Sequence, residues 1–364
     1  MSHAPLPNHD RTPLVSVLVP SYNGARFLRE ALDSILAQTY PHIEVLLLDD
    51  ASVDDTEEIA ASYGDRITYV RQPSNLGIYD NVNVGIALAR GDLIATYHAD
   101  DIYLPTIVEA QVAYLVEHPD VGAVFCADVF VDADGAEYGR MRLPDAVSGE
   151  RPLDFATIFN TLLSYKNRFL VCPTAMVRTA VHRRVGVYDQ AHYRNTADLE
   201  MWLRIAKSTP IGILESHLMR YRHFHGNSSQ LYHRLRTAPE NFFPIMDEYL
   251  EAGGRDIATT SALADYEAHR AEDALMRAMS SYIKAELRQG ERILDDVRAA
   301  AFLASIRVQR WRLVVLLFGL RCLLRLPRIE WVARLMFERW HVKRPPRGHR
   351  RKLSRLTPTA QRAT

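Results

Sequence analysis

No apolar run in this chain approaches the roughly 20 residues that a bilayer-spanning helix needs. The longest, residues 313–320, is bracketed by Arg312 and Arg321, so a membrane span is not expected. Cysteine is scarce: Cys126, Cys172 and Cys322 stand far apart with no CxxC spacing. That pattern argues against a structural zinc site and against a disulfide framework, and fits a reducing compartment. Residues 1–13 are polar and proline-containing without an apolar signal core, so they read as a flexible N-terminus and export is not expected. Net charge is missing too, with Lys+Arg and Asp+Glu both at 44. The balance hides a segregation: from Arg307 onward sixteen Lys or Arg face two Glu, which leaves an acidic body before a basic tail. There is no internal repeat, no nucleic-acid-binding motif, and no Gly-rich basic phosphate loop after the first strand.

What is present begins with alternation. At 364 residues the chain is long enough for one large domain plus an appendage. Apolar strands at 15–19, 45–48, 67–70 and 93–97 alternate with helical patterns at 25–38, 54–63 and 81–89. Ser52 with Asp55 fits a capping box for the second of these helices. Such alternation predicts an α/β domain with a mainly parallel sheet and helices on both faces. A helix is expected over 105–117, strands at 121–126 and 211–221, a hairpin turn at 132–135, a flexible surface link at 148–152 and a helix over 198–206. Residues 231–306 read as a helical extension. Residues 307–344, where Arg is interleaved with Trp311, Phe318, Trp331, Phe337 and Trp340, read as basic amphipathic helices suited to an anionic membrane surface. A basic helix packed on the acidic body is the plainer alternative. Beyond Pro345 the tail is expected to be disordered.

Three polar segments follow apolar strands: Pro20-Ser21-Tyr22-Asn23-Gly24, Asp49-Asp50, and His98-Ala99-Asp100-Asp101. An Asp-Asp pair after a strand is more often a solvated turn or a helix cap than a site. In an open parallel sheet, however, ligands bind at the carboxyl ends of strands, so these three ends are expected to converge on one crevice. Paired carboxylates on a short turn suit Mg²⁺ or Mn²⁺, which leave positions open for phosphate oxygens. A nucleotide diphosphate is the expected partner.

The ordered segments 15–24, 34–40, 44–52, Asn75-Leu76-Gly77, 89–92 and Asp100-Asp101 resemble the opening of the family-two inverting glycosyltransferases with a GT-A fold, over residues 15–229. The resemblance implies a GT-A (Rossmann-like) domain at 14–230 that transfers a sugar from a nucleotide-diphosphate donor, most simply a UDP-sugar, to a hydroxyl of a glycan or lipid-linked acceptor. Pro20, Tyr22 and Asn23 then belong to the nucleotide pocket. Asp50, with Asp49 as the alternative, meets the base, and Asn83 shapes the pyrophosphate approach. Asp100 serves ribose and metal, Asp101 is the most direct ligand of Mn²⁺ or Mg²⁺, and His225 is a further metal or pyrophosphate contact shared with His223. Arg222 would offset phosphate charge. His98 stands where many relatives carry the first Asp of Asp-x-Asp-Asp, and reads as a packing residue or one acting behind the carboxylates.

Segment 196–204 resembles the family's base-bearing motif, with Asp198 as general base and Glu200 as runner-up; Ala197 replaces the more usual Glu. Trp202 and Glu200 are assigned to the acceptor, with a core Trp the plainer reading of the first. Cys172 to Arg178 reads as a strand beneath the acceptor. The processive synthases' Gln-x-x-Arg-Trp motif is absent, since Gln309-Arg310-Trp311 lacks its spacing, which implies one sugar per encounter. The implied place is peripheral, on the cytoplasmic face of a bacterial cell membrane, in surface-polysaccharide synthesis. A catalytically silent GT-A scaffold is the alternative.

Overall fold

Strand β1 (Val15–Ser21), buried along its whole length, is the spine of a nine-stranded sheet. The structure, a computed structural model, describes residues 12–223, 235–297, 304 and 310–340. Strand β1 pairs in parallel with β2 (Ile43–Asp49) and β4 (Leu93–Thr96), and β2 pairs in parallel with β3 (Thr68–Arg71). Helices α1 (Ala25–Leu36), α2 (Thr56–Ala61) and α3 (Ile78–Leu88) make the crossovers. The mainly apolar character of β1, β2 and β4 fits burial on both faces, whereas β3 is partly exposed. Leu18, Leu46, Leu48 and Ile94 enter one core layer, while Val17, Val19, Val45, Leu47 and Ala95 enter the other.

Beyond β4 the sheet changes character. Strand β8 (Ala175–Arg178) runs antiparallel to β4 and to β6 (Ala123–Val131); β9 (Ile211–Arg222) is parallel to β6, and β5 (Ile102–Tyr103) is antiparallel to β9. The sheet is therefore mixed, and the mainly parallel description holds for β1 to β4. The physical reason is connection length: β7 (Glu137–Arg140) returns on β6 through the turn at 132–135, which a hairpin permits and a parallel crossover does not. Helices α4 (Ile107–Glu117), α5 (Phe155–Tyr165), α6 (Thr179–Val185), α7 (Gln190–Tyr193) and α8 (Ala197–Ser208) complete the cover. Helix α2 starts at Thr56, later than expected, and the Ser52–Asp55 capping box does not form. Ser52 Oγ accepts the Asn23 N–H, and Asp54 Oδ1 takes the Thr56 N–H.

The chain divides into two compact units, Met1–Phe224 with Glu240–Tyr266, and His225–Pro239 with Glu267–Thr364. The extension expected over 231–306 is thus split. The helix Phe242–Tyr249 places Phe242, Phe243, Ile245, Met246 and Tyr249 in the same apolar cluster as α5 and α8, which ties it to the sheet unit. In the second unit, Ala271, Leu275, Met279 and Tyr282 pack with Leu313, Leu317, Leu320 and Leu324 of the helix Trp311–Leu324. Among the described residues no helix is long and apolar enough to cross a membrane.

Candidate active site

The strand ends build the site. At the end of β1 the chain turns through Asn23, in the left-handed region at φ 51°; its side-chain oxygen accepts the Val53 N–H at 2.9 Å. Gly24 follows because a Cβ there would lie 2.6 Å from Ser21 Oγ. Tyr22 is 54% exposed, so its ring is available to a planar base. Pro20 is a buried strand residue opposite Leu48 and stands behind the open turn.

The two carboxylates after β2 have separate duties. Asp49, fully buried, accepts from Ser52 N–H, Tyr69 hydroxyl and Arg71. Asp50 accepts the N–H groups of Leu76 and Gly77 at 2.7 and 2.9 Å, which fastens the Asn75-Leu76-Gly77 turn to β2. Each Asp50 oxygen retains acceptor capacity for one more donor. Asn83 departs from its expected role: its amide donates to Tyr188 C=O and accepts Tyr188 N–H, both at 2.9 Å. With its amide engaged on that backbone, it joins α3 to the segment before α7.

After β4, His98, Asp100 and Asp101 offer ligand atoms that all lie within 4.8 Å of one another. Two of these side chains carry buried atoms without hydrogen-bond partners, His98 Nε2 and Asp101 Oδ2. Burial pushes Asp101 well above the usual carboxylate range, with the Asp100 charge adding to it and the Arg222 N–H opposing it. Burial likewise lowers His98, keeping the imidazole neutral. Hard carboxylate oxygens, a neutral imidazole and orphaned buried atoms fit a divalent cation. His98 therefore joins the candidate ligand set.

Arg222 holds this turn in place. Asp101 Oδ1 accepts its backbone N–H at 2.8 Å, and its guanidinium donates to the carbonyls of Asp100 and Ala133 and to Glu30. The guanidinium also lies over the Phe27 ring at 4.5 Å, and the residue is 2% exposed. So engaged, Arg222 positions the acidic turn and does not present its charge to a phosphate. His225 lies outside the described residues.

Asp198 stands in the first turn of α8. Burial raises its carboxyl to about 6, while the nearby Leu199 N–H and Tyr79 hydroxyl hold it from rising further. Tyr79 is itself placed by Gln190, whose side chain accepts the Tyr79 N–H and donates to Leu76 C=O. The Asp198 charge is felt at Cys172, Tyr79 and Tyr188. Tyr221 on β9 feels the charge of the acidic turn. Burial raises its phenol most, followed by the charges of Asp101, Asp100 and Asp128, and then Cys172.

Two acceptor assignments do not hold. Trp202 is fully buried, edge-on to Phe125 and Tyr188 with centroids 5.0 and 6.0 Å away, so its faces are spent inside the core. Glu200 is 5% exposed, paired with Arg204 at 2.8 Å and reached by the Tyr249 hydroxyl at 3.4 Å. On a helix, positions 198 and 200 face different directions, and only Asp198 faces Tyr79. Sequence reasoning missed Tyr79, Gln190 and Asp128. Tyr79 is the second residue of the helix that follows Asn75-Leu76-Gly77, a position with a local signal, whereas Gln190 and Asp128 carry none.

The family profile described as Glycosyl transferase family 2 matches residues 16–186. An uncharacterized glycosyltransferase of Methanocaldococcus jannaschii is 30% identical over 218 residues, 58% of this chain and 71% of that protein. One of Rickettsia prowazekii is 32% identical over 202 residues, 55% of this chain but 61% of its own length. Among solved structures, S. aureus TarS 1–349 in complex with UDP-GlcNAc superposes with TM-score 0.57 at 18% identity, covering 85% of this chain and 90% of that one; at that identity the likeness concerns the fold. With profile and relatives matching the half of the chain that carries the strand-end turns and the Asp100-Asp101 segment, this protein belongs to glycosyl transferase family 2.

Proposed function

We propose that this protein is an inverting glycosyltransferase that uses a nucleotide-diphosphate sugar, most simply a UDP-sugar, with Asp198 as general base. The observation that carries the reading is the acidic turn after β4, where His98, Asp100 and Asp101 bring ligand atoms within 4.8 Å of one another, in a chain that matches glycosyl transferase family 2 and places Asp198 in the first turn of α8. Tyr22 and Asp50 take the base, with Asn23 shaping the turn beside it. His98, Asp100 and Asp101 would hold Mn²⁺ or Mg²⁺, which when bound would supply charge to offset that of the leaving diphosphate. The fold likeness to a protein solved with UDP-GlcNAc supports a UDP-sugar donor.

In the transfer step the acceptor hydroxyl gives its proton to Asp198 as its oxygen forms a bond to the anomeric carbon. The bond from that carbon to the phosphate oxygen breaks, and the electron pair departs with the nucleotide diphosphate. A carboxyl near 6 is mostly ionised at neutral pH yet more basic than an ordinary Asp, which suits this task. The acceptor is a hydroxyl of a glycan or a lipid-linked glycan, received one sugar at a time. Calorimetric titration with UDP, GDP, dTDP and CDP, each with and without Mn²⁺, tests the reading. Metal-enhanced binding of one nucleotide is expected; binding of none overturns it in favour of a silent scaffold.

The second unit supplies the location. On the helix Trp311–Leu324, Trp311, Val315 and Phe318 are 63, 68 and 69% exposed at helical spacing, opposite the buried Leu313, Leu317, Leu320 and Leu324. Arg312 and Arg325 are exposed on the same helix and at its end, and Trp331 and Arg334 are exposed on the helix Glu330–Trp340. An exposed aromatic stripe beside arginines fits the boundary between acyl chains and anionic headgroups at the cytoplasmic face of the membrane, and the basic residues after Arg307 add to the attraction. Phe318→Ser with Trp311→Ser is expected to reduce cosedimentation with phosphatidylglycerol-containing vesicles by about 10-fold or more. Unchanged cosedimentation removes the membrane assignment.

A further inference from the structure

Strand β6 carries a carboxylate that the transfer step above does not use. Asp128 is fully buried, and neither of its oxygens has a hydrogen-bond partner among the described residues. Leaving an acceptor of this kind unpaired costs on the order of 1–3 kcal/mol, more when it is charged. Such an expense is retained where a ligand supplies the missing donors.

The surroundings identify the ligand's chemistry. Asp128 lies opposite Met219 on β9, and Met219 lies opposite Tyr103 on β5, so Asp128 and the strand that follows Asp100-Asp101 flank β9 on either side. Its charge is felt at Asp101, at the Tyr221 phenol and at the Tyr138 phenol. Two residues along β6, Phe130 stacks on His223 at 5.5 Å, and Tyr221 meets His223 edge-on at 4.8 Å. Tyr138 is 41% exposed, its hydroxyl is hydrogen-bonded to the His223 ring, and among the described residues its strand β7 pairs with β6 alone, so it stands on the solvent side of this group. A carboxylate acceptor pair beneath aromatic rings matches a pyranose: hydroxyls supply donors and the ring's C–H face packs on the aromatics.

We infer that Asp128, with Tyr138 and Tyr221, reads the hydroxyls of the sugar being transferred and so determines donor-sugar specificity. Its position toward Asp101 favours the donor sugar, which is attached to the diphosphate there, over the acceptor beside Asp198. The inference rests on the nucleotide-sugar reading above. Asp128 contributes no proton or electron to the transfer; it orients the sugar and leaves nucleotide recognition to Tyr22 and Asp50.

Calorimetric titration with UDP and with UDP-glucose, UDP-galactose and UDP-N-acetylglucosamine, all with Mn²⁺, tests this on the full-length chain. In Asp128→Asn the affinity for UDP is expected to stay near wild type, while affinity for the preferred UDP-sugar falls about 10- to 100-fold, since hydrogen bonds to a charged acceptor are lost. Above pH 7, the value to which burial raises Asp128, the melting temperature is expected to hold or rise, because a costly buried charge is removed; a purely structural Asp would show a fall. Tyr138→Ala, at an exposed position, is expected to weaken UDP-sugar binding relative to UDP in the same sense. An unchanged ratio of UDP-sugar to UDP affinity in Asp128→Asn overturns the inference. Should Asp128→Asn fail to fold, an unchanged ratio in Tyr138→Ala does so. Wild-type binding of UDP but of no UDP-sugar overturns it as well, while wild-type binding of neither removes the donor reading beneath it.

Discussion

Asp198→Asn is expected to lower kcat for sugar transfer by about 10²- to 10⁴-fold, the range that positioned general bases contribute, while donor binding stays near wild type. The amide keeps the shape of the side chain and loses the capacity to take a proton. Folding is not expected to suffer. The native carboxyl near 6 lies above its unfolded value, so its protonated form favours the native state, and the ionised form weakens it as pH rises through that range. An amide carries no such cost at neutral pH, and the melting temperature of Asp198→Asn should be no lower than that of wild type. Transfer at the normal rate by this variant would remove Asp198 from the role of base.

The same carboxyl sets a pH profile. For wild type, kcat/KM is expected to fall below about pH 6 as Asp198 becomes protonated, and to be level just above it. Tyr79→Phe removes a hydroxyl whose proximity favours the charged form of Asp198, so the inflection should move to higher pH. A profile whose inflection ignores Tyr79 would mean that a different group titrates.

Asp101→Asn is expected to abolish most of the Mn²⁺-dependent gain in nucleotide affinity, a loss of about 10-fold or more. Asn is the informative replacement because Oδ1 of Asp101 also accepts the Arg222 N–H, and an amide oxygen continues to do so. Asp101→Ala would break that bond as well and loosen the end of β9, mixing two effects. Calorimetry with and without Mn²⁺ separates them: metal-free affinity should be similar in wild type and Asp101→Asn, and only the metal-enhanced part should disappear. Retention of the full Mn²⁺ effect would show that the cation is held elsewhere.

The fold was legible where periodicity was local. Helix α1 buries Phe27, Leu28, Ala31, Leu32 and Ile35 at the spacing read from the sequence, and β1 and β2 fall on the expected apolar runs. The placement of Tyr22, Asp50 and Asp100-Asp101 at strand ends, and of Asp198 in the first turn of α8, was legible in the sequence, while their roles belong to the function proposed above. The site was misread where residue type stood in for environment. Trp202 was assigned to the acceptor because aromatic faces suit sugars, yet its helical position turns it into the core beside Phe125. Asn83 was assigned to the pyrophosphate approach by the family resemblance, with a helix-surface role as the equal alternative, and its amide meets the Tyr188 backbone, 105 residues away.

The sequence by itself determined the alternation of strands and helices, the acidic turns at strand ends and the segregation of basic residues after Arg307, because each is a property of neighbouring residues. Only the tertiary structure decided how those turns are held and what they face. Arg222 reaches Asp101 across 121 positions and Glu30 across 192, and strand pairing that no local pattern encodes puts Asp128 and β5 on either side of β9. Whether a polar side chain is a clamp, a base or an unpaired acceptor depends on burial and on partners distant in the chain, and those are fixed only when the sheet closes.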